Sequence, residues 1–238
     1  MNKYLFQIDY SEDSLRWLKI REGLLARLNK NVSNLEELQN DIIKNNDSAL
    51  AYFFATEFSY KPHRMQKVIL DNHDPKYAIL FAQHINNCDI GALQKVVVES
   101  KKIKYICNFA CFVKDANRKP LEKIIKNSKN AKYAHMYLKH VKGVNVSKFK
   151  DVILASGKPR YLFELAKHTK HPTELARIED LIIESKSFTY IRLLAEKIKT
   201  SNIEKLEQAV LDSDNVNEIK KFAKYVKRSK MKRFFLVL

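Results

Sequence analysis

Fourteen basic side chains recur at fixed intervals along this chain: Lys76; Lys104 and Lys114; Lys132, Lys139 and Lys142; Arg160, Lys167 and Lys170; Arg192 and Lys199; Lys220, Lys224 and Lys227. The first five groups sit around a regularly spaced tyrosine, Tyr77, Tyr105, Tyr133, Tyr161 and Tyr190, and the sixth keeps the phase with Glu218 at that position. With that tyrosine as position 1, the cations favour positions 0, 3, 7 and 10. On a helix, at 100° per residue, those positions fall within about 80° of one another, a single stripe. The chemistry of such a stripe is attraction for a polyanion. Part of it has a simpler cause. Lys114, Lys142, Lys170, Lys199 and Lys227, at position 10, stand near helix C-termini, where the helix dipole favours cations. Lys76, Lys104, Lys132 and Arg160, at position 0, stand at N-termini, where the dipole disfavours them. An anionic ligand would account for that placement, with a helix N-terminus adding its own attraction for phosphate; a compositional bias towards lysine is the competing cause.

Other residues of chemical interest form no constellation. His84, His140 and His168 share one row position beside the stripe. A zinc site requires further ligands, and none stands at a fixed spacing, so these read as polar surface residues. Cys107 and Cys111 are four apart on one helix and read as ordinary thiols. The paired carboxylates Glu179 and Asp180 fall on a mixed-charge helix face and read as solvent-facing. There is no phosphate-cradling glycine loop, HExxH, CxxC or serine elbow. The expectation is a protein without catalytic group, cofactor or metal.

The elements that must carry the stripe are legible as an internal repeat. The five tyrosines are 28, 28, 28 and 29 residues apart. Four residues after each stands Phe81, Phe109, Tyr137, Leu165 or Leu194, followed by Ala82, Ala110, Leu138, Ala166 or Ala195. Later in each row a large apolar residue precedes a serine by seven: Leu93 to Ser100, Leu121 to Ser128, Phe149 to Ser156, Ile178 to Ser185, Leu206 to Ser213. Both halves carry apolar residues at helical period. Asp89, Asn117, Asn145 and Asn202 stand where N-caps of the second helix belong, and Asp74–Pro75 reads as the start of a first helix. Helices this short bury their apolar faces only by stacking on neighbours. The expected architecture is therefore all-α: a right-handed α-solenoid of about seven 28-residue helix-turn-helix repeats. Residues 1–34 form an N-terminal capping region and residues 35–238 one continuous array. The tyrosine and Phe–Ala columns are expected in its core. An amphipathic helix over residues 14–29, with Trp17, caps one end. At the other, Phe234, Phe235, Val237 and Leu238 read as a truncated last helix, or more sharply as an apolar tail for a homodimer.

Composition bounds the class. The 238 residues are 45% hydrophobic, with only four Gly and five Pro, too few for a hairpin-rich sheet protein. Formal net charge is +17, and it is uneven. Residues 1–75 hold 10 basic and 11 acidic side chains, whereas the six first-helix segments from residue 76 onward hold 16 basic and three acidic. No apolar run suits a membrane span, the N-terminus does not read as a secretory signal, and three unpaired-looking cysteines point to a reducing, cytoplasmic setting.

The row Tyr-x-x-x-Phe-Ala followed by Leu-x-x-Ile-Ile-x-x-Ser, over roughly residues 48–228, resembles short repeats of uncharacterised proteins from bacteriophages and large DNA viruses. The resemblance implies a host-cell interior and brings no activity with it. More distantly the chain looks like HEAT-type solenoids. Among those, the alkylpurine DNA glycosylases bind DNA on a basic surface lined by aromatic residues and an acid. The sole Trp here, Trp17, lies outside the array, so that activity is not carried over. The expectation is a non-enzymatic module that binds DNA or RNA through the stripe. The alternative is a scaffold that meets an acidic protein surface or itself.

Overall fold

The structure, a computed structural model, describes Gly23 and residues 35–231. The expected capping helix with Trp17, Gly23 apart, and the apolar tail after Met231 lie outside the described residues. Among those described there are 14 α-helices and no strand. The all-α expectation therefore holds, and consecutive helices pack on one another.

The chain divides into two compact units, Met1–Asn117 and Arg118–Leu238. The first holds α1 (Leu35–Asn45), α2 (Ser48–Phe58), α3 (Pro62–Asp71), α4 (Pro75–His84), α5 (Ile90–Glu99) and α6 (Ile103–Phe112). The second holds α7 (Arg118–Asn127), α8 (Ala131–His140), a 3-10 turn (Val146–Lys148), α9 (Lys150–Ala155), α10 (Pro159–His168), α11 (Pro172–Glu184), α12 (Phe188–Lys197), α13 (Ile203–Leu211) and α14 (Val216–Tyr225). Within each unit a helix packs on its successor; in the first unit it also packs on the one after that, and in the second α8, α10, α11 and α12 do so. In the second unit α8, α10, α12 and α14 thus form one packed series, and α11 and α13 pack in another.

Each first helix is ten residues long, and its ends follow from its sequence. Asp74 accepts from the N–H groups of Lys76 and Tyr77 ahead of Pro75, and Asn130 and Asn215 cap α8 and α14 in the same way. Chain direction changes at an extended β-branched residue just past each C-terminus: Ile85, Val113, Val141, Thr169, Ile198 or Val226. Val113 and Val226 are fully buried there. The Phe–Ala columns are core as expected, with Phe81, Phe109, Tyr137, Leu165, Leu194 and Phe222 at 0–1% exposure. Burying each such side chain contributes about 1.5–3 kcal/mol relative to leaving it in water. The opening tyrosines differ from the expectation. Tyr77, Tyr105, Tyr133, Tyr161 and Tyr190 are only half-buried, because position 1 lies at the edge of the apolar face.

The serine column ends the second helices. Ser100, Ser128, Ser156, Ser185 and Ser213 each donate back to the carbonyl three residues earlier at 2.6 Å. Four of them accept from the N–H two residues on. The residue after each serine is left-handed: Lys101, Lys129, Gly157, Lys186 and Asp214, with φ from 49° to 60°. Glycine is the favoured residue for that conformation, yet three of the five are lysines.

One further column, not anticipated from the sequence, ties successive second helices together. It follows the large apolar residue of each row: Gln39, Gln66, Gln94, Glu122, Lys150, Glu179 and Glu207. The Gln66 amide accepts from Asp89 N–H at 2.9 Å and donates to Asp89 C=O at 3.0 Å. Gln94 repeats this with Asn117 at 2.9 and 3.1 Å. Glu179 and Glu207 accept from the N–H of Asn202 and Lys230 at 2.9 and 2.7 Å. In all four the partner lies 23 residues on. Glu179 is therefore 2% exposed rather than solvent-facing; its carboxylate serves backbone, and only Asp180 faces solvent, paired with Lys205 at 2.6 Å.

Candidate nucleic-acid interface

The fourteen predicted cations fall on or just after the first helices. Twelve are exposed; Lys76 and Arg192 are half-buried. Three belong to the first unit: Lys76 on α4, Lys104 on α6, and Lys114 two residues past it. The remaining eleven belong to the second, carried by α8, α10, α12 and α14, which pack in series. Lys132, Lys139, Lys142, Arg160 and Lys170 have no carboxylate partner within ion-pair distance among the described residues. Two others are engaged: Lys167 reaches Glu164 at 2.8 Å, and Arg192 reaches Glu196 at 3.5 Å.

The helical geometry assumed for position 10 does not survive. Every first helix ends at position 8, so Lys114, Lys142, Lys170, Lys199 and Lys227 stand beyond it, after an extended residue. The angular argument for one stripe thus applies to positions 0, 3 and 7 only. The position-10 cations form a separate row at the C-terminal ends of the first helices.

The N-terminal ends are richer in cations than expected. Lys102 and Lys158 are the N-cap residues of α6 and α10 and make no side-chain cap. The left-handed lysines Lys101, Lys129 and Lys186 join them, each one residue before the N-cap residue Lys102, Asn130 or Ser187. The signal for the latter was the Ser–Lys pair at the end of each second helix, which carries meaning only once the serine is known to close that helix. Cations also lie over the half-buried tyrosines: Lys132 over Tyr133 at 5.8 Å, Lys158 over Tyr161 at 5.6 Å, and in the first unit Lys76 over Tyr77 at 5.4 Å. Such contacts are worth roughly 0.5–1 kcal/mol at exposed sites. Three of the tyrosines lean on the preceding first helix: Tyr77 on Tyr52 with ring centroids 6.0 Å apart, Tyr161 on His135 at 4.7 Å, and Tyr190 on Phe163 at 6.0 Å.

The histidines are not equivalent. His84 Nδ1 lies 2.5 Å from Tyr52 Oη in the first unit. His168 stands 3.6 Å from Glu164. His140, half-buried, has its pKa lowered by burial and by Lys139, against an opposing pull from Glu164. The buried histidine is His135, which the row pattern had not singled out. It is 6% exposed, and its pKa is lowered to about 4 by burial, helped by Arg160, Lys139 and His140 and opposed by Glu164. Burial pushes the Glu164 carboxyl up, but Lys167, His135 and His168 outweigh it and hold it below its ordinary value. No group of three or more metal-ligating side chains exists among the described residues. Cys107 is buried with its Sγ 3.9 Å from that of Cys111; the hydrogen bond to Cys111 and burial push its pKa upward. Among the described residues no helix is long and apolar enough to cross a membrane.

Compared with protein-family models, curated proteins and solved structures, the chain matches none.

Proposed function

We propose that the 28-residue helix pairs are turns of an α-solenoid, and that its first helices form a non-enzymatic binding surface for nucleic acid. One observation carries the reading. In the second unit, consecutively packed α8 and α10 present Lys132, Lys139, Arg160 and Lys167 beside half-exposed Tyr133 and Tyr161. Lys139 and Lys167 stand in the last turns, which the helix dipole favours, but Lys132 and Arg160 in the N-terminal turns oppose it, so helix stability does not account for them. Phosphates placed there gain both the ammonium charges and the helix N–H groups. Contacts of this kind give affinity without base readout. Half-exposed tyrosines add faces on which unpaired bases stack, each worth about 1–3 kcal/mol.

The test is binding of the purified, nuclease-treated protein to labelled duplex DNA, single-stranded DNA and RNA at two salt concentrations. Binding should fall steeply with salt. A Lys132→Ala, Lys139→Ala, Arg160→Ala triple variant should reduce the slope of log affinity against log salt by about 2–3. Equal affinity and slope in wild type and variant would sink the proposal.

A second reading has its own support. Leu211 and Val216, bracketing the α13–α14 turn, are 43% and 58% exposed. Exposed apolar residues of this kind suit a protein partner. A complex recovered by pulldown that survives nuclease, and is lost on Val216→Asp, would favour a protein scaffold instead.

A further inference from the structure

The regular tie between successive second helices fails at two adjacent rows: Glu122 accepts from the Lys148 ammonium and the Tyr137 hydroxyl rather than from backbone, and the next row departs further. At Lys150 the column carries an ammonium, which cannot accept the N–H that Gln66, Gln94, Glu179 and Glu207 accept. Lys150 instead pairs with the Glu174 carboxylate at 3.0 Å. Glu174 occupies the row position held elsewhere by the N-cap residues Asp89 and Asn202. The link here runs through two long side chains rather than from a side chain to backbone. The helices on both sides depart from the pattern as well. The helix that should begin at Val146 opens as a 3-10 turn, leaving α9 only six residues long. The next second helix, α11, starts earlier and runs to 13 residues, with His171 as an N-cap that makes no side-chain bond.

A cavity of about 380 Å³ lies at this irregular link, lined by Asn145, Ser147, Lys150, His168, Lys170 and His171 among others, and by the Glu174 carboxylate that Lys150 holds. His168 is also shared with a second cavity of about 120 Å³ that Lys139 and Lys142 line. Departures from a repeat's local rules concentrate where a protein binds something. The size lies in the range of small-ligand sites. The lining is hydrogen-bonding and basic, and Lys150 already neutralises Glu174. Lys170, His171, His168 and Ser147 also line the space, the Ser147 hydroxyl donating to Asn145 and His168 standing 3.6 Å from Glu164, with Lys139 and Lys142 next door.

We infer that this cavity binds a phosphate group. Of the fourteen first-helix cations only Lys170 and, next door, Lys139 and Lys142 touch this site, which rests on the cavity and its whole lining and stands whether or not a polynucleotide binds. The phosphate's source is either a nucleic-acid strand or a free phosphate.

The experiment is a titration of the isotope-labelled full chain with sodium phosphate, followed by amide and imidazole NMR resonances, with sodium chloride at matched ionic strength as control. Saturable shifts confined to residues 145–150 and 168–174 are expected. A Lys170→Ala, His171→Ala double variant, both residues being exposed and outside helices, should weaken phosphate about tenfold, as for loss of a charge-assisted contact. Lys123→Ala, on α7 and remote from the cavity in sequence and row, should change nothing. A 5′-phosphorylated oligonucleotide added next separates the sources: competition with phosphate names a strand, and independent binding names the free ion. Shifts that do not saturate, spread evenly over all lysine-bearing turns, or persist unchanged in the double variant would overturn the inference. Unchanged oligonucleotide binding in the Lys132, Lys139, Arg160 triple variant, with the phosphate shifts intact, would count against the polymer reading alone.

Discussion

His135 shows how a single side chain ties stability to pH in this fold. Its imidazole is packed against Tyr161 and held neutral, with its pKa lowered to about 4. The unfolded chain takes up a proton near the ordinary histidine value, about 6.5. Between these values the unfolded state binds more protons, so stability rises with pH across that window and is lost as pH falls through it. The contribution is about 2–3 kcal/mol at most. Phenylalanine already occupies the same row position at Phe163. His135→Phe should therefore fold and lose most of the change in unfolding free energy between pH 7 and 4. A variant whose denaturant midpoint falls with pH as steeply as wild type would refute this assignment. The left-handed lysines make a second residue-scale case. Lys129, at φ 49°, pays a steric cost that glycine avoids. Lys129→Gly should stabilise the protein by about 0.5–1 kcal/mol in chemical denaturation. It should also remove one cation from the proposed interface, so stability and nucleic-acid affinity should move in opposite directions. Destabilisation would show that the lysine side chain makes a stabilising contact.

At the scale of elements, the tie between second helices decides how firmly one pair holds the next. Gln66 and Gln94 satisfy both the N–H and the C=O of a residue 23 positions on, whereas Glu179 satisfies only the N–H. Burial also pushes the Glu179 pKa above its ordinary value, with Asp180 adding to the push and the Asn202 N–H and Lys205 opposing it. A carboxyl with a raised folded pKa costs stability once pH exceeds its unfolded value, and the cost vanishes at lower pH where both states are protonated. Glu179→Gln should therefore stabilise by about 1 kcal/mol at pH 7 and by little near pH 3. The companion change Gln94→Ala should cost about 1–3 kcal/mol, by orphaning the Asn117 backbone groups. This column also marks the limit of what the sequence made legible. Apolar columns such as Phe81, Phe109 and Leu165 are readable because periodic hydrophobicity directly reports burial. So are caps such as Asp74, whose short side chain bonds only two or three residues on. A glutamine beside the apolar column looks like any exposed polar residue, because its partner lies in the next row and its burial comes from packing. The same holds for the position-10 cations. The repeat placed them correctly along the chain, but the helix end at position 8 depends on an extended residue whose role appears only in three dimensions. The cavity at Lys150 was invisible for a related reason: it arises from a local loss of regularity.

Across the whole chain, 44 basic side chains face 27 acidic ones. Even if every carboxylate were paired, 17 cations would remain, and their mutual repulsion opposes compaction. Surface pairs such as Lys205–Asp180 and Lys230–Glu204 pull the other way, but each is worth at most about 1 kcal/mol and is screened by the same salt. The surplus decides the sign. Raising sodium chloride from about 0.01 M to 0.15 M shortens the screening length from about 30 Å to about 8 Å. That should stabilise the folded protein by about 1 kcal/mol, a rise of about 2–4 °C in Tm for a chain of this size. The usual salt-bridge-dominated protein would change little or soften. If the surplus is arranged for a polyanion, an oligonucleotide at low salt should raise Tm further than sodium chloride at saturating concentration. A ligand that binds only the folded state adds its own free energy to the screening effect. The two contributions should separate on addition of salt to the complex: the oligonucleotide increment should shrink as salt releases the strand, while the screening increment is kept. A Tm that falls with salt in the free protein would mean that ion pairs, not the unpaired lysines and arginines, dominate the electrostatics of the fold. The basic surface would then be compensated within the molecule rather than held open for a partner.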